Sequence, residues 1–590
     1  MNGARTPSPH PSPSLRDQTL TPLLRWLGAD PAAWYADLAV GLGLFALLYV
    51  ALVVATAGHH AEAAAPVSLS ASRLPLYAAY SFLRMLAAYV LSLVFSLTYG
   101  YLAAYNRRAE KILVPILDIL QSIPILSFMP SLVLALIAIF PHGTVGVEVA
   151  SILLVFTSQA WNLTFSFYHS LLTIPRELRE VATQYGLSPW QRFRQLELPF
   201  SVVGLVWNSM MSWAGGWFFL MAAEMFTLGP RNFQLPGLGS FLQVAANRGD
   251  VRAELAGLLV LIAVITLLDQ LVWRPLLAWA DRFKVELATS AVPPRSAVLM
   301  LLRRSRIVDW ASRSVLVPGL ESVDRRLSRP RLAHTTPRAG SRAPALSWAL
   351  GLLAAIGVGM ALWRGLLLVS GISAAEAAQL PLAALLSLLR VFAALALSSV
   401  WAIPVGVFIG MNRQWAMRLQ PIAQILASIP ATALFPVIVV WLLGSGSRLG
   451  YVSVLLLMLG TQWYILFNVI AGAMSIPEDL KEATSLFGLG TVERWRTLIL
   501  PGIFPFLITG MITAAGGAWN ATIVTEYVQA GDHHVATLGL GSLIAQASAN
   551  AQFGLLLAAT LLLSAIVITV NRLLWRRLYH LAETRYTLLL

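Results

Sequence analysis

Ile174 to Pro199 reads IPRELREVATQYGLSPWQRFRQLELP, and 302 residues later Ile476 to Pro501 reads IPEDLKEATSLFGLGTVERWRTLILP. The chain is therefore a tandem duplication. Pro175 and Pro477 suit a first helical position, where the missing N–H would have had no partner. Leu178, Val181, Ala182 and Tyr185 then recur at helical spacing, as do Leu480, Ala483, Thr484 and Phe487, which predicts one mostly apolar stripe against a face carrying Arg179/Glu180 or Lys481/Glu482. Gly186 and Gly488 follow the last periodic residue, where a left-handed conformation closes a helix, and Ser188-Pro189 or Gly490-Thr491 can open a second one. Each copy is predicted to be a helix-turn-helix.

Working outward, the 590 residues are 57% hydrophobic and 12% charged, with mean hydropathy +0.72. That composition belongs to a polytopic membrane protein. No cysteine occurs, which excludes disulfides and thiolate metal sites. The net charge of +14 does not point to nucleic acid, because the arginines sit in short loops between apolar runs, as the positive-inside rule wants. Residues 1–35, Pro- and Ser-rich, read as a disordered cytoplasmic tail and not as a signal peptide. Apolar runs at 36–57, 77–104, 112–140, 147–171, 200–227 and 254–277 are each long enough to cross roughly 30 Å of hydrocarbon. They make a first transmembrane half, 36–280. A basic linker follows at 281–345, in which Ala297 to Val317 mixes arginines with Leu, Ile, Val and Trp and is expected to hold an amphipathic helix on lipid.

The second half, 346–590, repeats the plan with runs at 347–370, 381–409, 419–443, 451–473, 502–528 and 552–575. Ser81/Ser387, Arg84/Arg390, Asn106/Asn412 and Ser122-Ile123-Pro124/Ser428-Ile429-Pro430 share an offset of 306, while Trp161/Trp463, Glu224/Glu526 and Gly237-Leu238-Gly239/Gly539-Leu540-Gly541 share 302. Six spans per half is an even number, so the halves form a parallel repeat with a path expected between them. Fold class is thus all-α, with about 12 transmembrane helices and both termini cytoplasmic.

The repeated stretch also resembles the cytoplasmic coupling motif of permease subunits of binding-protein-dependent ABC importers: E-A-A, three residues, Gly, nine residues, Ile, one residue, Leu-Pro. Glu482-Ala483-Thr484, Gly488, Leu498 and Leu500-Pro501 keep that spacing, as do Glu180-Val181-Ala182, Gly186, Leu196 and Leu198-Pro199 with looser letters. The resemblance implies a type I importer permease fold, with Glu180, Ala182, Gly186, Glu482, Ala483 and Gly488 contacting two copies of a cytoplasmic ATPase. It also admits a periplasmic or lipid-anchored substrate-binding protein, and it places the chain in a bacterial inner membrane. No G-x-x-x-x-G-K-[ST] occurs, so ATP and Mg belong to the partner and this chain, with no cofactor of its own, is expected not to be an enzyme. The letters around Ser-Ile-Pro, Trp161/Trp463 and Trp-Arg look most like the nitrate, sulfonate, taurine and bicarbonate branch of those importers. An ion-coupled secondary transporter, an importer of a non-anionic solute and a structural or sensory membrane subunit are the alternatives.

Polar residues within apolar runs are the pathway or gate candidates: Arg84, Gln121, Ser122 and Glu224 in half one, Arg390, Ser428, Gln462 and Glu526 in half two, with Trp161 and Trp463. Ser, Asn and Gln there serve equally as interhelical hydrogen bonds. Arg84 lies a few residues into the second span and Glu224 near the end of the fifth, which runs the other way, so the two share a depth. Arg390 and Glu526 repeat the match. Each arginine is therefore expected to pair with its glutamate, either to hold helices together or to form an outer gate. His59-His60 and His533-His534 read as solvated loop residues, with no metal site.

Overall fold

The computed structural model describes residues 67–140, 145–228, 231–283, 296–319, 363–444, 448–530 and 533–585, with isolated positions between 321 and 360. The tail, the span expected at 36–57 and much of that at 347–370 lie outside the described residues. Packing divides the chain into two compact units, one of Met1–His59, Phe165–Met210 and Leu267–Gly340, the other of His60–Thr164, Met211–Thr266 and Ser341–Leu590.

Half one runs through α1 (Leu74–Tyr105), α2 (Arg107–Ser122), α3 (Ile125–Ile139), α4 (Val145–Leu172), α5 (Arg176–Gln184) in the repeated stretch and α6 (Leu198–Glu224). A hairpin, β1 (Met225–Leu228) with β2 (Arg231–Gln234), then leads to α7 (Leu238–Asn247) and α8 (Val251–Leu268). Linker helices α9 (Ala297–Arg304) and α10 (Arg306–Ala311) follow. The stretch expected to hold an amphipathic helix contains these two, separated at Ser305, which ends α9 and caps α10 through its hydroxyl.

Half two repeats the order as α11 (Ala374–Met411), α12 (Arg413–Ser428), α13 (Ala431–Gly444), α14 (Leu449–Met474), α15 (Glu478–Leu486) and α16 (Leu500–Thr525). Its hairpin is β3 (Tyr527–Ala530) with β4 (His533–Ala536), and α17 (Leu540–Ala549), α18 (Phe553–Val570) and a last helix, Arg576–Arg585, follow. Both hairpins are antiparallel, with Met225 opposite Gln234 and Tyr527 opposite Ala536. Among the described residues seven helices are long and apolar enough to cross a membrane.

Two expectations are corrected. The third run of each half, 112–140 and 419–443, is not one helix. Ile123 (φ −80°, ψ 124°) and Ile429 (φ −72°, ψ 117°) are extended, because a proline clashes with a helical residue before it. The break leaves a 16-residue amphipathic helix followed by a short apolar one. The fifth runs, 200–227 and 502–528, stop at Glu224 and Thr525, where the apolar letters continue into a strand. Asn106 and Asn412, aligned in the repeat, share one role. Each ends one helix and caps the next, accepting from Arg108 N at 3.0 Å and Ala109 N at 3.2 Å, or from Gln414 N at 2.9 Å and Trp415 N at 3.3 Å, which satisfies donors that a helix start leaves orphaned.

Candidate functional site

The short helix α7 begins inside the protein, so its first N–H groups need acceptors that water cannot supply. Residues distant in sequence supply them. Ser81 Oγ on α1 accepts from Leu238 N at 2.9 Å, and Glu224 at the end of α6 accepts from Gly239 N at 2.6 Å. Ser81 Oγ donates in turn to Glu224 at 2.6 Å, and Arg84 Nη1 donates to Glu224 at 2.8 Å and to the Pro236 carbonyl at 2.8 Å. Arg84 and Glu224 are 4% and 0% exposed, so both charges are buried and are tolerated because each is paired and hydrogen-bonded. Half two builds the same clasp. Ser387 and Arg390 Nη1 donate to Glu526 at 2.7 and 2.8 Å, Arg390 also donates to the Leu538 carbonyl at 2.8 Å, and Leu540 N and Gly541 N are held at 2.9 Å. The pairing expected from matched depth is present in both halves, with α1, α6 and α7, or α11, α16 and α17, tied at one point.

Gly237 and Gly539 are the price of that closeness. Both are extended (φ −179°), so the backbone needs no glycine; a Cβ, however, would stand 2.3 Å from the Glu224 carboxylate or 2.1 Å from that of Glu526. Gly237→Ala is expected to lower stability by about 1–3 kcal/mol through overpacking, read as an earlier melting transition of the purified protein.

The clasps differ in one respect. Arg84 is also held by Glu148 on α4, through Nε and Nη2 at 2.6 Å each. At the equivalent position in half two stands Gly450, and Arg390 Nη2 instead donates to Thr537 Oγ1 at 3.0 Å. A repeat search passes over Glu148 because it has no copy. An acid in the first turn of one apolar span, absent from its counterpart, was the available signal.

Of the remaining candidates, Trp161 packs edge-on to Phe95 and Trp463 edge-on to Trp401, both at 6.2 Å between ring centroids. Phe95 and Trp401 are themselves a repeat pair, so the tryptophans hold the second span to the fourth. Gln462 is buried and Gln121 exposed. Ser122 and Ser428 end α2 and α12, and the side chains of both lie outside the described residues. A cavity of about 270 Å³ opens instead among Leu126, Met129, Met221, Met225, Thr432 and Tyr527, drawn from α3, α6 and β1 of half one and α13 and β3 of half two. None of the pathway candidates borders it. Halves one and two also meet where Ile125 N donates to Asn520 Oδ1 at 2.5 Å.

In the two repeated stretches Pro175 and Pro477, expected at the first helical position, are N-caps, so each helix starts one residue later, at Arg176 and Glu478. Gly186 (φ +62°) and Gly488 (φ +64°) take the left-handed conformation, and Leu187 N and Leu489 N close the turns onto the Ala182 and Thr484 carbonyls at 3.1 and 3.2 Å. Ser188 and Gln191 then form a capping box for Pro189–Arg192. Ala182 is buried, whereas Glu180 and Glu482 are exposed and Ala483 is half-buried. Much of the apolar stripe faces outward: Tyr185 is 67% exposed and Phe487 81%, and Leu486, beside the stripe, is 86% exposed. Glu197, paired with Arg192 at 2.7 Å, is buried in the first copy where the second has Ile499.

Residues 96–272 and 402–582 each match the family described as binding-protein-dependent transport system inner membrane component. The chain belongs to this family. It carries the family's domain twice, and the two matches correspond to the two repeats read from the sequence. Among relatives of this inner membrane component, the bicarbonate transport system permease protein CmpB of Synechococcus elongatus is 25% identical over 186 residues, 32% of this chain and 64% of its own length. The taurine transport system permease protein TauC of Escherichia coli is 26% identical over 196 residues, 32% of this chain and 67% of its own. The nitrate import permease protein NrtB of Leptolyngbya laminosa is 25% identical over 145 residues, 25% of this chain and 50% of its own. The chain thus spans between half and two thirds of the length of these relatives.

Proposed function

We propose that this chain is the complete membrane pathway of an ATP-driven importer of small anions, both halves fused, with termini and coupling stretches in the cytoplasm of a bacterial inner membrane. One copy of a separate ATPase docks on each coupling stretch, so that two copies and their ATP and Mg serve one permease. A substrate-binding protein on the outer side completes the system. The observation that carries this reading is the outward-facing apolar residues at Tyr185, Leu486 and Phe487, on helices otherwise studded with charge. An exposed apolar cluster within a polar rim marks a protein interface, and here it occurs twice. The anion class is supported by the relatives, whose names mention bicarbonate, taurine and nitrate.

In this mechanism ATP binding draws the two docked ATPases together, and the coupling helices carry the movement into the spans. Each arginine clasp makes α1, α6 and α7, or their counterparts, move as one block at the hairpin end. A ligand that binds one arrangement better than the other then shifts the equilibrium between them. Copurification with the ATPase, followed by ATP hydrolysis in liposomes, tests the reading. Stimulation by a small anion is the expected result, and anion uptake that follows an ion gradient without ATP would overturn it in favour of a secondary transporter.

A further inference from the structure

The cavity between the halves is symmetric in position and asymmetric in chemistry. Leu126 and Thr432, Met225 and Tyr527, and Leu242 and Ile544 border it as repeat pairs, at offsets of 306, 302 and 302, so the pseudo-twofold relation between the halves passes through it. At two pairs half two carries a hydroxyl where half one is apolar, Thr432 for Leu126 and Tyr527 for Met225, with Ser548 a further hydroxyl; at Met129/Phe435 and Met221/Ile523 both sides are apolar. Gln243 is half one's polar contribution, and its amide already donates to Asn247 at 3.3 Å. Among the described residues Thr432 Oγ1, which is buried, has no hydrogen-bond partner. Among the described residues no lysine, arginine, histidine, aspartate or glutamate borders the cavity. Thr432 and Ala433 are the second and third residues of α13, so the cavity also meets the positive end of a helix dipole, which favours an anion without a basic side chain.

Size and lining argue against a bare inorganic oxyanion. An apolar cavity of about 150 Å³ holds a benzene ring, so the 270 Å³ here leaves room for a ring or short alkyl chain and a head group. Nitrate or bicarbonate would give up water to methionine and leucine walls that return no hydrogen bonds, which is unfavourable. Resting on the importer reading above, we infer that the cavity binds an organic monoanion in one orientation, its oxyanion head at Thr432 and the start of α13, its apolar body on the methionine and leucine wall of half one. Fusion of the halves makes this possible, since two identical subunits would present the same side chain from both sides.

The chain contains no cysteine, so Met129→Cys provides a unique thiol in the cavity wall of the full-length protein in nanodiscs. Benzenesulfonate at ten times its Kd is expected to slow maleimide labelling about tenfold, because only the free fraction reacts, whereas nitrate at the same concentration leaves the rate unchanged. Leu486→Cys, 86% exposed on the second coupling helix, should label equally fast in both. Thr432→Val should raise the benzenesulfonate concentration needed about tenfold, the loss of one hydrogen bond to a charged group. Equal protection by nitrate overturns the assignment, as does absence of protection at both Met129→Cys and Met225→Cys. Nitrate-stimulated ATP hydrolysis without protection would remove the cavity ligand and leave the importer reading. Protection without ATP hydrolysis stimulated by any anion would do the reverse.

Discussion

Glu526→Arg is expected to prevent accumulation of folded protein in the membrane. Glu526 is 0% exposed and accepts from Ser387, Arg390, Gly541 N and Ser542 N. Its replacement would set two guanidinium groups together and leave buried N–H groups of α17 without an acceptor. Breaking a buried pair costs about 3–5 kcal/mol, against a total stability of about 5–15 kcal/mol. The exchange Arg390→Glu with Glu526→Arg restores the ion pair but not the acceptor for the helix start, so expression should return while the melting temperature stays below the natural protein's. Size-exclusion profiles of a fluorescent fusion read both quantities. In half one the outcome should be harsher for the arginine: Arg84→Glu would gather three carboxylates, Glu148 and Glu224 included, where Arg390→Glu gathers two. Equal profiles for Arg84→Glu and Arg390→Glu would show that Glu148 carries no weight in the clasp.

Tyr185→Asp combined with Phe487→Asp should abolish copurification of the ATPase while the permease still elutes as a folded monodisperse species. Both rings are mostly exposed, so nothing in the fold depends on them, and burying a side chain of this size at an interface contributes about 2 kcal/mol or more. Each single substitution should therefore weaken association by about 30-fold or more. Glu482→Ala and Glu180→Ala, beside them on the same helices, are expected to retain the ATPase but to separate hydrolysis from transport. If one copy tolerates substitution freely, the two docking positions are unequal. Loss of membrane insertion in any of these variants would count against a surface role.

The duplication and the repeated helix-turn-helix were legible because they rest on local signals: glycine stops, capping residues and helical spacing hold whatever surrounds them. The arginine clasps were legible for a different reason. A charge in an apolar run has few affordable solutions, and repetition of Arg84 and Glu224 as Arg390 and Glu526 removed the remaining ambiguity. What stayed hidden depended on contacts between distant segments. Hydropathy counted 112–140 as one span because apolar letters run through Ser-Ile-Pro, although backbone sterics divide it. Met225 to Leu228 is as apolar as the helix before it, and only pairing with Arg231 to Gln234 makes it a strand. Half one gives the cavity wall a single polar side chain, Gln243, and a search for intramembrane polar residues selected Gln121 and Gln462 and passed over Thr432, whose hydroxyl comes to the cavity only when α13 is placed.

The Glu148/Gly450 difference bears on how such a chain could be dismantled. An assembly of two first halves would carry four carboxylates around two arginines, and one of two second halves would carry none beyond the simple pairs, so neither reproduces the charge of the fused protein at this end. A gene split back into its halves should therefore work only when both fragments are made together. The two parts have become a lock of two keys, each cut against the other.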